Sequence, residues 1–192
     1  ILNGTSGLSG LSDGVVIRQN SQVLATSGGS IAITGTGGGG LGGVAQGVYV
    51  GASTVNAAAG NVALTGTLAS GSVSNSNAVE VGSSATVHAN GALSVTGNAN
   101  AQANEWGVYF GGSASLSTSN ASPVTITTDS YGSDSTESVS AGTGTVTVQN
   151  RTAGTRIDLG GTDVLTGSPL TLGMSASQLP RITAGTLVLG RN

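Results

Sequence analysis

Few side chains in this sequence could do chemistry, and they are scattered. The 192 residues include 8 acidic residues, 5 basic residues that are all Arg, one His and no Cys. Without Cys there is no disulfide framework and no Cys-containing zinc site. His88 follows Val87, which strand alternation directs inward, so we expect a solvated His88 on the outer surface. Proton transfer needs a positioned partner, and the sequence therefore predicts no catalytic, cofactor-binding or metal-binding residue and no enzyme.

Asp158, Asp163 and Arg156 form the strongest candidate for a catalytic group. Clusters of Asp and Arg in a groove are typical of β-helix polysaccharide lyases and hydrolases, so a polysaccharide-active enzyme is an alternative function. Ile157 and Leu159 flank Asp158, and alternation directs them inward and Asp158 outward. We interpret Asp158 as a surface residue paired with Arg156, an arrangement worth about 0–1 kcal/mol.

The most acidic stretch contains Asp129, Asp134 and Glu137. Its carboxylates could coordinate Ca²⁺, which takes about six to eight oxygen ligands. The stretch has neither the EF-hand spacing nor the Gly-Gly-x-Gly-x-Asp repeat of calcium-binding β-rolls. We interpret it as a solvated loop, and calcium binding stays open as an alternative.

Aromatic residues mark a second kind of candidate, a contact surface. Tyr49 and Tyr109 occupy equivalent positions and alternate with inward valines, so both should point outward with Glu80 between them. Trp106 and Glu105 lie close to Tyr109 in the sequence. Exposed aromatics are common on binding faces. A carbohydrate or protein contact is one interpretation, and packing of the tyrosines against an inter-strand loop is the other.

Paired threonines predict an outward ladder on one face. The pairs are Thr34/Thr36, Thr65/Thr67, Thr96/Asn98 and Thr127/Asp129. Ranks of Thr-x-Thr on a flat β face resemble ice-binding surfaces, so ice binding is a further alternative function. The pattern changes to Asn98 and Asp129 within four repeats, and Thr is favoured in strands in any case.

A regular repeat must position all of these groups. Its period is about 31 residues, within the range typical of solenoids and arrays. Evenly spaced segments begin at Ile31, Val62, Leu93 and Val124, and Leu2 falls on the same register. Each shows the period-2 alternation of a strand buried on one face. Three families of apolar positions recur and should form interior columns: Val15, Val48, Val79 and Val108; Val23, Val55, Val87 and Leu116; and Ile33, Leu64, Val95 and Ile126.

These columns predict an all-β fold, a right-handed parallel β-helix (β-solenoid) with three strands per coil and loop excursions. Residues 1–192 should form a single β-solenoid fragment of a longer repetitive chain. We expect regular coils over 1–128, an acidic loop excursion over 129–144, and continued coils of altered spacing over 145–192. Leu187 lies nearly one repeat after Ile157, which indicates that the coils continue there, and one helical turn is possible at 175–179.

Composition excludes several classes of function. Only 7% of the residues are charged, whereas nucleic-acid binding requires Lys and Arg in number. No apolar run approaches the roughly 18 residues of a membrane span. The 37% hydrophobic content argues against disorder.

Four strings resemble the repeats of filamentous-haemagglutinin-type exoproteins. They are GVYV at 47–50, NVALTGT at 61–67, IDLGG at 157–161 and LPRITAGTLVLG at 179–190. That family consists of very large Gram-negative surface proteins with right-handed parallel β-helices. Many are exported by the two-partner route and act as adhesins or biofilm filaments.

The resemblance covers nearly the whole chain, although the family's amino-terminal secretion domain is not matched. It implies a structural or adhesive segment of a large secreted bacterial surface protein. Expected partners are like chains, end to end or side by side, and glycans or proteins of host or neighbouring cells. Nucleic acid and membrane insertion are not expected, and no cofactor is. The implied location is extracellular, at the bacterial surface.

Overall fold

The computed structural model describes residues 1–6, 12–38, 44–70, 75–100, 102, 104–119, 121–167 and 169–191. In these residues the structure is all-β, its sheets are parallel, and one 3₁₀ turn occurs at Leu179–Arg181. The prediction of an all-β chain with stacked parallel strands is therefore confirmed.

Three parallel sheets, called sheets 1, 2 and 3, contain nearly all of the strands. Sheet 1 contains β1 (Leu2–Thr5), β4 (Ile31–Gly37), β7 (Val62–Leu68), β10 (Leu93–Asn98), β13 (Val124–Thr127), β16 (Thr145–Gln149) and β20 (Thr186–Leu189). Sheet 2 contains β2 (Val15–Ile17), β5 (Gln46–Gly51), β8 (Asn77–Gly82), β11 (Trp106–Phe110) and β14 (Tyr131–Ser133). Sheet 3 contains β3 (Gln22–Ala25), β6 (Thr54–Ala57), β9 (Thr86–Ala89), β12 (Ser115–Thr118), β15 (Ser138–Ser140) and β19 (Ile182–Thr183).

From β1 to β16 the chain visits sheets 1, 2 and 3 in rotation, so each sheet receives one strand from each repeat. All three predicted columns are paired in register, for example Val15 with Val48, Leu64 with Val95, and Val87 with Leu116. Their side chains are buried, apart from the half-buried Val23 near the first edge of sheet 3. Small aliphatic side chains thus form the core, as period-2 alternation predicts.

A column of glycines allows sheet 1 to approach sheet 2 closely. Its members are Gly4, Gly35, Gly66 and Gly97, which pair with one another in register. A Cβ on Gly35 would overlap the carbonyl oxygen of Gly47, and one on Gly66 would overlap that of Ala78. The repeat therefore requires Gly at this position for steric reasons.

The predicted loop excursion over 129–144 is wrong in its central part. Within that segment, Tyr131 pairs with Val108 and Val139 pairs with Leu116, so β14 and β15 extend sheets 2 and 3. Tyr131 and Val139 are both buried. The repeat is shorter here than elsewhere, because Gln149 and its register partner Thr127 differ by only 22 in residue number. Short corners replace the longer ones, and the polar residues that suggest a loop occupy those corners.

The described residues of 145–167 and 169–191 continue the sheets with an inserted pair of strands. β17 (Arg156–Gly160) and β18 (Thr171–Ser175) form a separate parallel sheet. Leu187 pairs with Val146 across this insertion, whereas Ile157 pairs with Leu172. The 3₁₀ turn begins at Leu179, the last residue of the predicted helical turn.

Leu159 departs from the predicted alternation. The pattern predicts an inward side chain, yet Leu159 is 57% exposed. β17 is one strand of the separate two-stranded sheet, and of its apolar residues Ile157 is the one that packs against the core. Because β17 lies outside the three main sheets, not every side chain on its inward face can pack against the core.

Candidate functional site

The outer face of sheet 2 carries the predicted aromatic column. Val16, Tyr49, Glu80, Tyr109 and Gly132 pair in this order along the sheet. Tyr49, Glu80 and Tyr109 are half-buried, while the valines on either side of Tyr49 are buried. The prediction that both tyrosines lie outward with Glu80 between them is confirmed.

A surface groove of about 240 Å³ lies at one end of this face, and we call it the Trp106 groove. Its lining residues are Asn75, Asn77, Asn104, Trp106 and Tyr109. Asn77 is the first residue of β8, Trp106 is the first of β11, and the two are register partners. The groove therefore lies where two neighbouring strands begin.

The corners that lead into these strands position two of the asparagines. Asn75 has a φ of 72° and Asn104 a φ of 58°, in the left-handed region that Asn tolerates better than most residues. The N–H of Asn75 donates to the carbonyl of Asn104 at 2.9 Å. The N–H of Trp106 donates to the carbonyl of Ser76 at 3.1 Å. These two hydrogen bonds keep the corner and the strand of one repeat aligned with the corner and the strand of the next.

The rings of Trp106 and Tyr109 lean together over a glycine. Their centroids are 6.3 Å apart and their planes are inclined by 50°. A Cβ on Gly132, the register partner of Tyr109, would lie 2.6 Å from atoms of both rings. Gly132 therefore gives the two rings room to lie against the sheet.

A hydrogen-bond network fixes the amides behind the rings. Glu80 Oε2 accepts from Asn77 Nδ2 at 2.7 Å and from Gln46 Nε2 at 3.1 Å. Asn77 is only 7% exposed, and its Oδ1 has no hydrogen-bond partner in the described part of the structure. A buried acceptor without a donor costs about 1–3 kcal/mol.

The electrostatic environment of the groove is negative. The pKa of Tyr109 is raised by burial and by the carboxylates of Asp134, Glu80 and Glu137. The five lining residues carry no cationic side chain. An anionic group would therefore be repelled at this position.

Glu105 is separate from this outer face. It is 1% exposed, and its Oε2 accepts from the N–H of Asn100 at 3.3 Å. The side chain of Glu105 is thus directed inward, unlike that of Trp106, which follows it.

His88 lies on the outer side of sheet 3 and is half-buried. Its Nδ1 is 2.9 Å from Ser117 Oγ, and its Nε2 is 3.2 Å from Ser119 Oγ. The predicted outward placement is confirmed, but the ring is held by two serines of the next repeat. This arrangement joins neighbouring repeats.

Asp158, Asp163 and Arg156 have different surroundings. The Asp158 side chain lies over Gly161, and in the described part of the chain no ion pair joins it to Arg156. Asp163 Oδ1 accepts from the N–H of Tyr131 at 3.0 Å and from that of Gly173 at 3.2 Å. Burial raises the pKa of Asp163 to about 7, although both N–H groups act to lower it. The carboxylate of Asp163 therefore has a structural role, because it binds two main-chain N–H groups.

The three carboxylates of the acidic stretch each have their own partners. Asp129 accepts from the N–H groups of Arg151 and Thr152. Glu137 is 1% exposed, and its Oε1 lies 3.5 Å from the hydroxyl of Tyr131. Burial, followed by the charge of Glu137, raises the pKa of Tyr131.

The third carboxylate, Asp134, accepts from the N–H of Gly112 at 2.7 Å and from Thr136. The hydrogen bond from the Thr136 side chain, and then that from Gly112, lower the pKa of Asp134. Among the residues that the structure describes, no group of three or more His, Cys, Asp or Glu side chains could hold a metal ion.

The threonine ladder lies on the outer face of sheet 1, in register. Thr34, Thr65, Thr96 and Thr127 pair in succession. The row begins at Asn3 and ends at Gln149, so polar residues of other types replace Thr at both ends. The ladder is therefore four strands wide.

Sequence reasoning missed the asparagines of the groove and the role of Asp163. A signal for the first was present, because Gln46, Asn77 and Trp106 recur nearly one repeat apart. Polar residues at repeat corners are so common that this signal did not stand out. Asp163 had no signal, because its partners lie 32 and 10 residues away on strands that share no sheet.

No family model, curated protein or solved structure matches the chain. In the described residues, no helix has the length and apolar character needed to cross a membrane.

Proposed function

We propose that this chain is a β-solenoid segment of a large secreted bacterial surface protein, and that it serves as a stiff structural and adhesive element. The observation that carries the proposal is the rotation of the chain through three parallel sheets with strands in register. In such an arrangement every repeat buries its face only against its neighbours, which is the principle of a solenoid.

We take the three sheets as the faces of the solenoid and its winding as right-handed. Connections between parallel strands of one sheet are right-handed in about 98% of cases. At about 4.8 Å between strands, the seven strands of sheet 1 extend over roughly 30 Å. A longer chain of such repeats would form a rod.

The surface favours contact over catalysis. Outward positions carry mainly Thr, Ser, Ala and Asn, and only 7% of the sequence is charged. Asp163 accepts two main-chain N–H groups and Asp158 is exposed in different surroundings, so the two carboxylates form no catalytic pair and we propose no enzymatic role. The partners we propose are like chains and cell-surface glycans or proteins, and the location is extracellular. The resemblance to filamentous-haemagglutinin-type repeats supports this proposal.

Mechanical unfolding of single chains tests the solenoid. Pulled by its two ends, the chain should lengthen in steps that correspond to whole repeats. At about 3.4 Å of extended chain per residue, and less the roughly 4.8 Å that a stacked repeat already spans, a repeat of about 31 residues releases about 100 Å. The shorter repeat before β16 and the longer one before β20 should release about 70 Å and about 135 Å on the same basis. Larger steps should be sums of these values. A smooth extension without steps, under conditions where circular dichroism shows strands, would overturn the solenoid.

Adhesion is tested with beads coated with the chain and applied to layers of bacterial or epithelial cells. Beads coated at equal density with the same chain after thermal denaturation are the control. We expect retention under flow only for the native chain. Equal retention of both kinds of bead would contradict the adhesive role.

A further inference from the structure

We propose that the Trp106 groove is a binding subsite for one uncharged sugar ring of a neutral polysaccharide, stacked on Trp106 and Tyr109. The proposal rests on the proposed adhesive function only for the source of the ligand. The binding chemistry depends only on the residues of the groove.

The aromatic pair supplies the stacking surface. Ring faces carry negative charge density, and the C–H groups of a sugar ring are weakly positive, so the two attract. Trp106 and Tyr109 are inclined to each other by 50° and rest on Gly132, which keeps them in a shallow V. The C–H groups on one face of a sugar chair can contact both sides of that V.

The asparagines supply matching polar groups. Each amide has two N–H donors and an acceptor oxygen, and each sugar hydroxyl can donate and accept. Asn75 and Asn104 stand at the corner of the groove, and Asn77 lies at its floor. Asn77 Nδ2 donates to Glu80 and its Oδ1 is enclosed by the protein, so the exposed amides of Asn75 and Asn104 are the ones that meet the sugar hydroxyls.

Charge selects the class of sugar. Glu80 accepts from Asn77, and the charge of Asp134 acts on Tyr109, while the described lining residues include no cation. Uronic and sialic acids would meet carboxylates without a compensating Arg or Lys. A neutral sugar meets no such repulsion.

Size and polarity favour a sugar over a protein partner. The groove holds about 240 Å³ and is lined largely by amides. Stable protein interfaces bury at least about 1,000 Å² and are apolar at their centres. A small polar concavity with two aromatic walls suits a single ring.

The single Trp of the chain makes the test direct, since its fluorescence reports on the groove alone. The probes are the hexasaccharides of β-1,4-glucose, β-1,4-N-acetylglucosamine, β-1,4-mannose and β-1,4-galactose, with hexagalacturonate and sialyllactose as acidic counterparts. We expect a saturable change in fluorescence with at least one neutral probe and at least tenfold weaker binding of the acidic ones.

Tyr109→Ala should weaken binding of that probe at least tenfold. Tyr49→Ala is the matched control, because Tyr49 occupies the same column two strands away, outside the groove. It should change the affinity by less than twofold. Circular dichroism of each variant establishes that it is folded. Should Tyr109→Ala not fold, Asn104→Gly serves in its place, because Gly tolerates the positive φ of this exposed corner and removes the amide, with a threefold or larger loss expected.

The inference is overturned if no neutral probe binds, if acidic probes bind as tightly, or if Tyr49→Ala weakens binding as much as Tyr109→Ala. Binding of beads to cells through protein, abolished by protease treatment of the cells and unaffected by Tyr109→Ala, would also overturn it. The proposed function fails separately, through smooth extension under force or equal bead retention. A chain that unfolds in repeat-sized steps but binds no sugar would refute only the groove.

Discussion

The carboxylate of Asp163 connects two strands of different sheets. It accepts the N–H of Tyr131 on β14 and the N–H of Gly173 on β18. Burial raises its pKa to about 7 in the folded chain, whereas an Asp in an unfolded chain titrates near 4. Between these pH values the folded chain holds a proton that the unfolded chain releases. Stability from this group is therefore lost as the pH rises from about 4 to about 7.

Asp163→Asn should remove this pH dependence. The amide oxygen of Asn can still accept both N–H groups, and it carries no charge to desolvate. We expect the variant to exceed the parent in unfolding free energy by about 1–4 kcal/mol at pH 8 and to match it near pH 4. Urea denaturation at several pH values is the measurement.

Asp158→Asn is the control for that experiment, because the Asp158 side chain is exposed. It should leave the difference between pH 4 and pH 8 unchanged. If Asp163→Asn is less stable than the parent at pH 8, the Asp163 carboxylate stabilises the fold in its charged form, contrary to this prediction.

Spacing within the strands, rather than any single side chain, determines how closely sheet 1 approaches sheet 2. Gly35, Gly66 and Gly97 recur once per repeat at the same place in their strands. Each faces the main chain of the next strand of sheet 2 along the chain, which is β5, β8 and β11 respectively. Main chain cannot move aside as a flexible side chain does, so the space for a Cβ is absent.

Gly66→Ala should therefore destabilise the chain by at least about 3 kcal/mol, the upper part of the range for overpacking. The overlap is with the carbonyl oxygen of Ala78. Gly29→Ala is the matched control, since its Cβ would meet only the Cβ of Ala25 at 3.5 Å. Equal midpoints of urea denaturation for the two variants would show that the sheets can separate at no cost.

Across the whole molecule, contacts run between successive repeats. Val62 pairs with Ile31 on one side and with Leu93 on the other. Because the three residues are evenly spaced in the sequence, removing one period would bring Leu93 into the place of Val62. Repeat chains tolerate such changes because stability is nearly a sum over neighbouring units.

Deletion of residues 62–92 should thus give a folded, shorter chain. We expect strand-rich circular dichroism, cooperative urea unfolding, and a denaturant slope lower by about one sixth, since the slope follows the surface exposed on unfolding. Deletion of 77–92 is the comparison, because it removes β8 and β9 but retains β7 in sheet 1. That chain keeps the sheet 1 strand of one repeat without that repeat's strands in sheets 2 and 3, so its repeats can no longer stack in register, and it should aggregate or stay unfolded. If both deletions fold equally well, the register does not control the fold.

The sequence by itself determined the strands of the regular repeats, their register and the interior columns. These follow from the alternation of side chains within each strand and from the even spacing of the strands along the chain. Both are properties of the chain alone. Where alternation and repeat agreed, as for Val48, Leu64 and Val87, the prediction was confirmed. The outward positions of Tyr49 and Tyr109 followed from the same parity, as did that of His88.

Only the tertiary structure decided which secondary structure forms where the repeat period changes, and which surface residues contact one another. Polarity suggested a loop at 129–144, but burial of Tyr131 and Val139 against the preceding repeat stabilises strands there. Leu159 is exposed because its strand lies outside the three main sheets. The Trp106 groove and the Asp163 bridge each join residues from different strands and corners. Such contacts depend on how strands stack in space, and no local pattern encodes them.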